Sequence, residues 1–171
     1  MHNVSKGTVP LQAELDLVEH YLRLEQLRYD HSFRFIIDVG EQVETDFVLV
    51  PPLFIQPIVE NALKHGFLQS GQRDNLLQIR VVQDEQETVT IEIEDNGRGF
   101  PENEETGRHE SFGLKNIRQR ISQLAMMNDQ KIDFDIIRLR TEQLAGSGTI
   151  VSVKLHHTAT LNPKSDWQFA R

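Results

Sequence analysis

At 171 residues, with 38% hydrophobic, 26% charged and 7% aromatic positions, the chain is long enough to bury the core of one domain. A formal charge of −8 argues against a nucleic-acid binder, which needs a basic face to meet phosphates. Zero cysteines exclude disulfides and thiolate chemistry, and there is neither a run of about 18 apolar residues nor a signal-peptide apolar region, so no membrane contact by this stretch is expected.

Residues 1–10 read as a polar lead-in. Leu11, Leu15, Val18 and Leu22 recur at helical spacing, with Leu17, Tyr21 and Leu24 widening the stripe, which predicts an amphipathic helix over 11–29. Phe33, Phe35 and Ile37 alternate with polar residues, predicting a strand over 32–39 that Gly40 ends. Pro51 and Pro52 favour a helix start, and an apolar helix is expected from there to Gly66, read as its C-cap. Pro57 lacks an N–H, which suits the first turn or a slight kink. Residues 69–75 read as a polar loop. Leu77, Ile79 and Val81, then Val89, Ile91 and Ile93, predict two strands joined by a hairpin over 84–87.

A Gly-, Glu- and Asn-rich segment follows over 96–111. Leu114, Ile117, Ile121 and Leu124 predict a helix over 112–127. Ile132, Phe134 and Ile136 form a strand, 142–148 a turn, and Ile150, Val151, Val153 and Leu155 the last strand. Residues 11–157 form the expected domain and 158–171 a loosely held tail. The order α-β-α-β-β-loop-α-β-β predicts a mixed β-sheet with helices on one face, a two-layer α/β sandwich.

The polar stripe of the second helix carries Glu60, Asn61, Lys64 and His65. At i, i+3 and i+4, Asn61, Lys64 and His65 share a face. A carboxamide oxygen suits Mg²⁺, which prefers oxygen ligands and keeps several waters, and a lysine one turn away can reach a phosphate. Glu60 reads equally as an ion-pair partner, an exposed helix residue or a carboxylate beside Mg²⁺-bound water. His65 reads as a packed or hydrogen-bonding histidine. The strand that closes at Asp95 and runs into Asn96, Gly97 and Gly99 is open to two readings: a strand-end turn, or a carboxylate facing a ligand that glycines let approach. The segment 100–111 is either a surface loop or a lid. A hairpin turn explains the glycines of Gly146-Ser-Gly-Thr149.

Leu53-Phe-Ile-Gln-Pro-Ile-Val-Glu-Asn-Ala-Leu-Lys-His-Gly66, followed by Asp95-Asn-Gly-Arg-Gly-Phe100, resembles the N box and first glycine box of one ATP-binding fold. That fold, the GHKL or Bergerat fold, is shared by sensor histidine kinases, gyrase, MutL and a heat-shock chaperone. The resemblance implies ATP and Mg²⁺ as cofactors, with Asn61 as the Mg²⁺ ligand and Lys64 on a phosphate. It makes Asp95 the acceptor for the exocyclic amine of adenine, with Gly97 and Gly99 clearing space and Thr149 as a second contact. Ser111-Phe-Gly-Leu-Lys-Asn-Ile-Arg-Gln-Arg-Ile121 resembles the second glycine box. Gly113 and Leu114 match it, Ser111 and Phe112 depart from the usual Gly-x-Gly-Leu, and Asn116 is assigned to phosphate ahead of Lys115 and Arg118.

The wording of residues 9–156 is similar to the LytS/YehU-type sensor histidine kinases. Pro57 stands where hydrolysing relatives place a water-activating glutamate, which favours a kinase. The Pro-His-Phe phosphoacceptor motif of that branch is missing, so the acceptor is expected on an upstream dimerisation domain, with a response regulator as the onward partner. The implied setting is the cytoplasmic part of a membrane sensor. An ATP-hydrolysing relative using Glu60, an anti-sigma-type serine kinase and a nucleotide-binding module without catalysis are the alternatives.

Overall fold

The computed structural model describes residues 7–30, 32–67, 74–97, 131–140 and 147–156, together with helical positions 115, 118–119, 121–123 and 125–126; at 65, 138–140 and 147 only the main chain is described. The apolar stripe read from the sequence becomes α1 (Leu11–Arg28), with Leu11, Leu15, Val18 and Leu22 all buried. Its first N–H groups, which have no intrahelical acceptor, are taken up by the preceding loop: Leu11 donates to the Val48 carbonyl at 2.7 Å and Gln12 to that of Thr45 at 3.2 Å. The lead-in is not all loose. Strand β1 (Val9–Pro10) pairs antiparallel with β3 (Leu49–Val50), a two-residue ribbon too short to show any periodicity.

The main sheet contains β2 (Phe33–Val39), β4 (Asn75–Gln83), β5 (Val89–Asp95), β6 (Ile132–Arg140) and β7 (Ser147–Leu155), in the order β2-β4-β5-β7-β6. β2 and β4 run parallel and the other pairs antiparallel. The sheet is mixed, as the element order implies. Alternation puts Leu77, Ile79, Val81, Val89, Ile91, Ile93, Val151, Val153 and Leu155 on one buried face against the helices. The other face carries Arg34, Asp38, Arg80, Glu92, Asp135 and Lys154, with Arg80 and Glu92 directly opposed and 3.7 Å apart. This is a two-layer sandwich. The expected hairpin joins β4 to β5, and the Asp84 carboxylate accepts the N–H groups of Gln86 and Thr88, both at 2.9 Å. β7 starts at Ser147, so the last two residues of the turn expected over 142–148 belong to a strand.

The second helix departs from expectation. α2 (Ile55–Asn61) starts three residues after Pro52, with Pro57 in its first turn, where a missing N–H loses nothing. It does not stop at Gly66. From Ala62 to Phe67 the chain continues as a π-helical turn, so Gly66 lies inside a helix rather than capping one. The reason for glycine there lies across the fold, in the site.

Candidate nucleotide-binding site

β5 closes on Asp95, which pairs with Leu77 of β4 on one side and Thr149 of β7 on the other. Its side chain is only 6% exposed. Gly97 donates its N–H to Oδ1 at 2.9 Å, and the Thr149 hydroxyl donates to the same carboxylate. Burial pushes the Asp95 carboxyl up to about 6, against the lowering effect of these two hydrogen bonds; the neighbouring Glu94 charge raises it slightly further. Asn96 holds the strand end in place. Its Oδ1 accepts Leu76 N–H at 2.7 Å and its Nδ2 donates to the Asp74 carbonyl at 2.8 Å. A buried carboxylate with two donors still has lone pairs to offer, which suits recognition of a further N–H.

The π turn meets the strand end here. A Cβ added to Gly66 would lie 2.9 Å from Asp95 Oδ1, and one added to Gly97 would lie 2.4 Å from the Gly66 Cα. Two main chains therefore touch where any side chain would separate them. The two sequence motifs, read apart, form one place.

Asn61 is the last residue of α2, half-buried at the junction with the π turn. Glu60 accepts from Lys64 Nζ at 2.9 Å and from Gln56 Nε2 at 3.2 Å, so the ion-pair reading of Glu60 is present in the structure. Lys64 was grouped with Asn61 by spacing; the structure puts its ammonium on Glu60. Glu60 also lies toward α1. The Tyr21 phenol there is pushed up to about 12, chiefly by burial and then by the charges of Glu25 and Glu60. Of the remaining candidates, the His65 side chain, Gly99, the segment 100–111, Gly113, Leu114 and Asn116 lie outside the described residues. Lys115 is helical and exposed. Arg118 lies over the Phe134 ring, 4.8 Å from its centroid, and donates to the Phe134 carbonyl at 3.4 Å.

One contributor escaped the sequence reading. Glu14 of α1 is buried, at 3% exposure, and its carboxylate accepts the N–H groups of Leu53 at 2.6 Å, Phe54 at 3.2 Å and Ile55 at 3.4 Å. α2 has no side-chain cap of its own at Phe54. The signal was available: Glu14 stands at i+3 from Leu11, on the buried stripe, where a charge requires donors.

Among the described residues there is no group of three or more His, Cys, Asp and Glu placed to hold a metal ion. A Mg²⁺ held mainly by waters and phosphate oxygens does not require one, and the Asn61 amide supplies an oxygen of the right kind. None of the described helices is long and apolar enough to cross a membrane.

Comparison with known proteins gives the family and the fold. Residues 52–159 match the family of histidine kinase-, DNA gyrase B-, and HSP90-like ATPases. The chain is 41% identical over 96 residues to the sensor protein LytS of Enterococcus faecalis, covering 56% of this chain and 15% of that protein. It is 34% identical over 122 residues to the sensor histidine kinase YesM of Bacillus subtilis, covering 70% and 20%. The chain thus spans a fifth or less of these relatives. Its fold is that of the histidine kinase domain of the Erythrobacter litoralis EL346 blue-light activated histidine kinase, with a TM-score of 0.59, 22% identity, and coverage of 86% of this chain and 61% of that one. A buried strand-end carboxylate against a glycine-bearing helix, and a family match over residues 52–159, lead to one conclusion: the chain belongs to the histidine kinase-, DNA gyrase B-, and HSP90-like ATPase family, whose nucleotide is ATP, and within it resembles the LytS-type sensors.

Proposed function

We propose that this chain is the ATP-binding catalytic domain of a LytS-type sensor histidine kinase. The adenine amine donates to Asp95, Thr149 stands beside it, and Gly97 and Gly99 clear the base plane. Asn61 gives its amide oxygen to Mg²⁺, which when bound neutralises phosphate charge. Lys64 leaves Glu60 for a phosphate oxygen, His65 lies near the same group, and Gly113, Leu114 and Asn116 contribute main-chain and amide contacts to the phosphates. Until the nucleotide binds, Glu60 holds Lys64 in reserve, and it does not activate water.

The chemistry is a transfer in line. The bond between the γ-phosphorus and its bridging oxygen breaks as one forms to an imidazole nitrogen; ADP leaves and the imidazole proton passes to solvent. Positioning and charge neutralisation carry most of the rate. The acceptor histidine belongs to an upstream dimerisation domain, from which a response-regulator aspartate receives the phosphoryl group. The parent protein is a membrane sensor with this domain on the cytoplasmic side.

The observation that carries this reading is Asp95, a carboxylate kept buried with Gly97 and Thr149 as its donors among the described residues and with bare backbone in front of it. Calorimetric titration of ATP and GTP into the chain and into Asp95→Asn tests it. ATP should bind in preference to GTP, and the substitution should weaken ATP by about tenfold or more, one buried hydrogen bond's worth. Equal ATP affinity in the two proteins would defeat the adenine assignment. Phosphotransfer to a separately supplied dimerisation domain tests the kinase step. Steady ATP hydrolysis instead, abolished in Glu60→Gln, would assign the chain to the hydrolysing relatives.

A further inference from the structure

The helix that carries Asn61 is short, and both its ends are fixed by residues outside it. Beyond the far end, in the π turn that continues it, Gly66 is pressed against Asp95 and Gly97. At the near end, entry into α2 is made through Leu53 in a left-handed conformation, φ +58°, which a leucine avoids unless held there. What holds it is Glu14, whose carboxylate takes three successive N–H groups, from Leu53, Phe54 and Ile55. The carboxylate is buried, is contributed by α1, and sits at the positive end of the α2 dipole. α2 is seven residues long, so a turn or slide at Ile55 is carried undiminished to Asn61.

We infer that Glu14 is a positioning residue for the phosphate end of the nucleotide site: through the start of α2 it sets where the Asn61 amide oxygen meets Mg²⁺. The inference rests on the reading of Asn61 as the Mg²⁺ ligand. A cap that served stability alone would lower the unfolding midpoint and leave ligand preferences untouched. A positioning group separates the two ends of the site. Adenine recognition, built on β5 and β7, stays as it is, while the advantage of Mg-ATP over Mg-free ATP shrinks.

The test compares ATP affinity with Mg²⁺ and with EDTA for the whole chain, Glu14→Gln, Asn61→Ala and Leu22→Ala. Leu22→Ala opens a cavity in α1 and serves as a control for lost stability alone. Glu14→Gln should lose about tenfold of the Mg²⁺ advantage, the usual loss when a group orienting a metal ligand is removed. Its Mg-free affinity should stay within twofold of wild type, and Leu22→Ala should keep the full Mg²⁺ advantage. A folded Glu14→Gln with the wild-type advantage overturns the proposal, provided Asn61→Ala has lost it. If Asn61→Ala keeps the advantage, the Mg²⁺ assignment itself has failed and the inference fails with it. Should Glu14→Gln not fold, hydrogen exchange on the wild-type chain decides: the amides of Phe54 and Ile55 should be more protected with Mg-ATP than with ATP in EDTA, and identical protection overturns the proposal.

Discussion

On the proposed function, Asp95 is where stability and recognition pull against each other. Its ordinary value of 3.8 is raised to about 6 in the fold, mainly by burial, so between those values the folded domain binds more protons than the unfolded chain. The sign follows: this group adds stability as pH falls through about 6, and adds nothing above that pH, where the buried charge is a burden. Asp95→Asn keeps an oxygen for the Gly97 and Thr149 donors and removes the charge. At pH 7.5 the unliganded variant should be more stable than wild type by about 1–3 kcal/mol in urea unfolding. The gain should vanish near pH 4, and an unchanged midpoint at pH 7.5 would contradict the burial argument. ATP affinity should fall in wild type as pH drops below about 6, beyond any fall in Asp95→Asn, whose profile reports protonation of the phosphates alone. Asp95 and Thr149 were singled out through the resemblance of their motifs to a known family; strand alternation and glycine spacing alone left plain turns open at both. Glu14 was not used, because its partners lie about forty positions away and a charge on an apolar stripe names no donor by itself.

Between Ile55 and Phe67 the sequence pattern and the structure part company. The apolar run and the prolines foretell a helix, but its change from α to π at Ala62 follows from packing: Gly66 must approach Gly97, and the wider turn delivers it. Glycine at 66 therefore looked like a stop signal. Gly66→Ala should weaken ATP binding by more than tenfold, since the new methyl occupies the space of the Asp95 carboxylate. Isothermal titration at wild-type affinity in that variant would refute the contact. The β4–β5 hairpin offers the opposite case, a position where the native residue is the strained one. Glu87 holds φ +60° next to the Asp84 turn, and it is exposed. Glu87→Gly should stabilise the domain by about 0.5–1 kcal/mol in thermal unfolding and leave ATP affinity unaltered. The hairpin was readable from its polar run. Its left-handed residue was not, since glutamate carries no hint of positive φ.

At the level of the whole domain, the apolar patterning was enough to place all five strands of the main sheet and the packing of helices on one face. It gave neither the strand order nor the β1–β3 ribbon, both of which depend on pairings between distant segments. The family match begins at residue 52, yet the fold does not. α1 and β2 contribute buried Leu11, Leu15, Val18, Leu22 and Phe33, and β2 covers an edge of β4. A fragment of residues 52–159 should therefore lack cooperative urea unfolding, while the 171-residue chain shows it; circular dichroism with equal midpoints for both would refute this. The order of elements has one more consequence. The parallel partners β2 and β4 enclose the Asn61 helix between them, whereas Asp95 and Thr149 come after the Asp84–Thr88 hairpin. A nick in that exposed hairpin would leave the amide proposed to hold Mg²⁺ on one polypeptide and the carboxylate proposed to face the purine on the other. ATP would then act as a rivet across the β4–β5 seam, so the two pieces should reassemble more tightly with the nucleotide than without it.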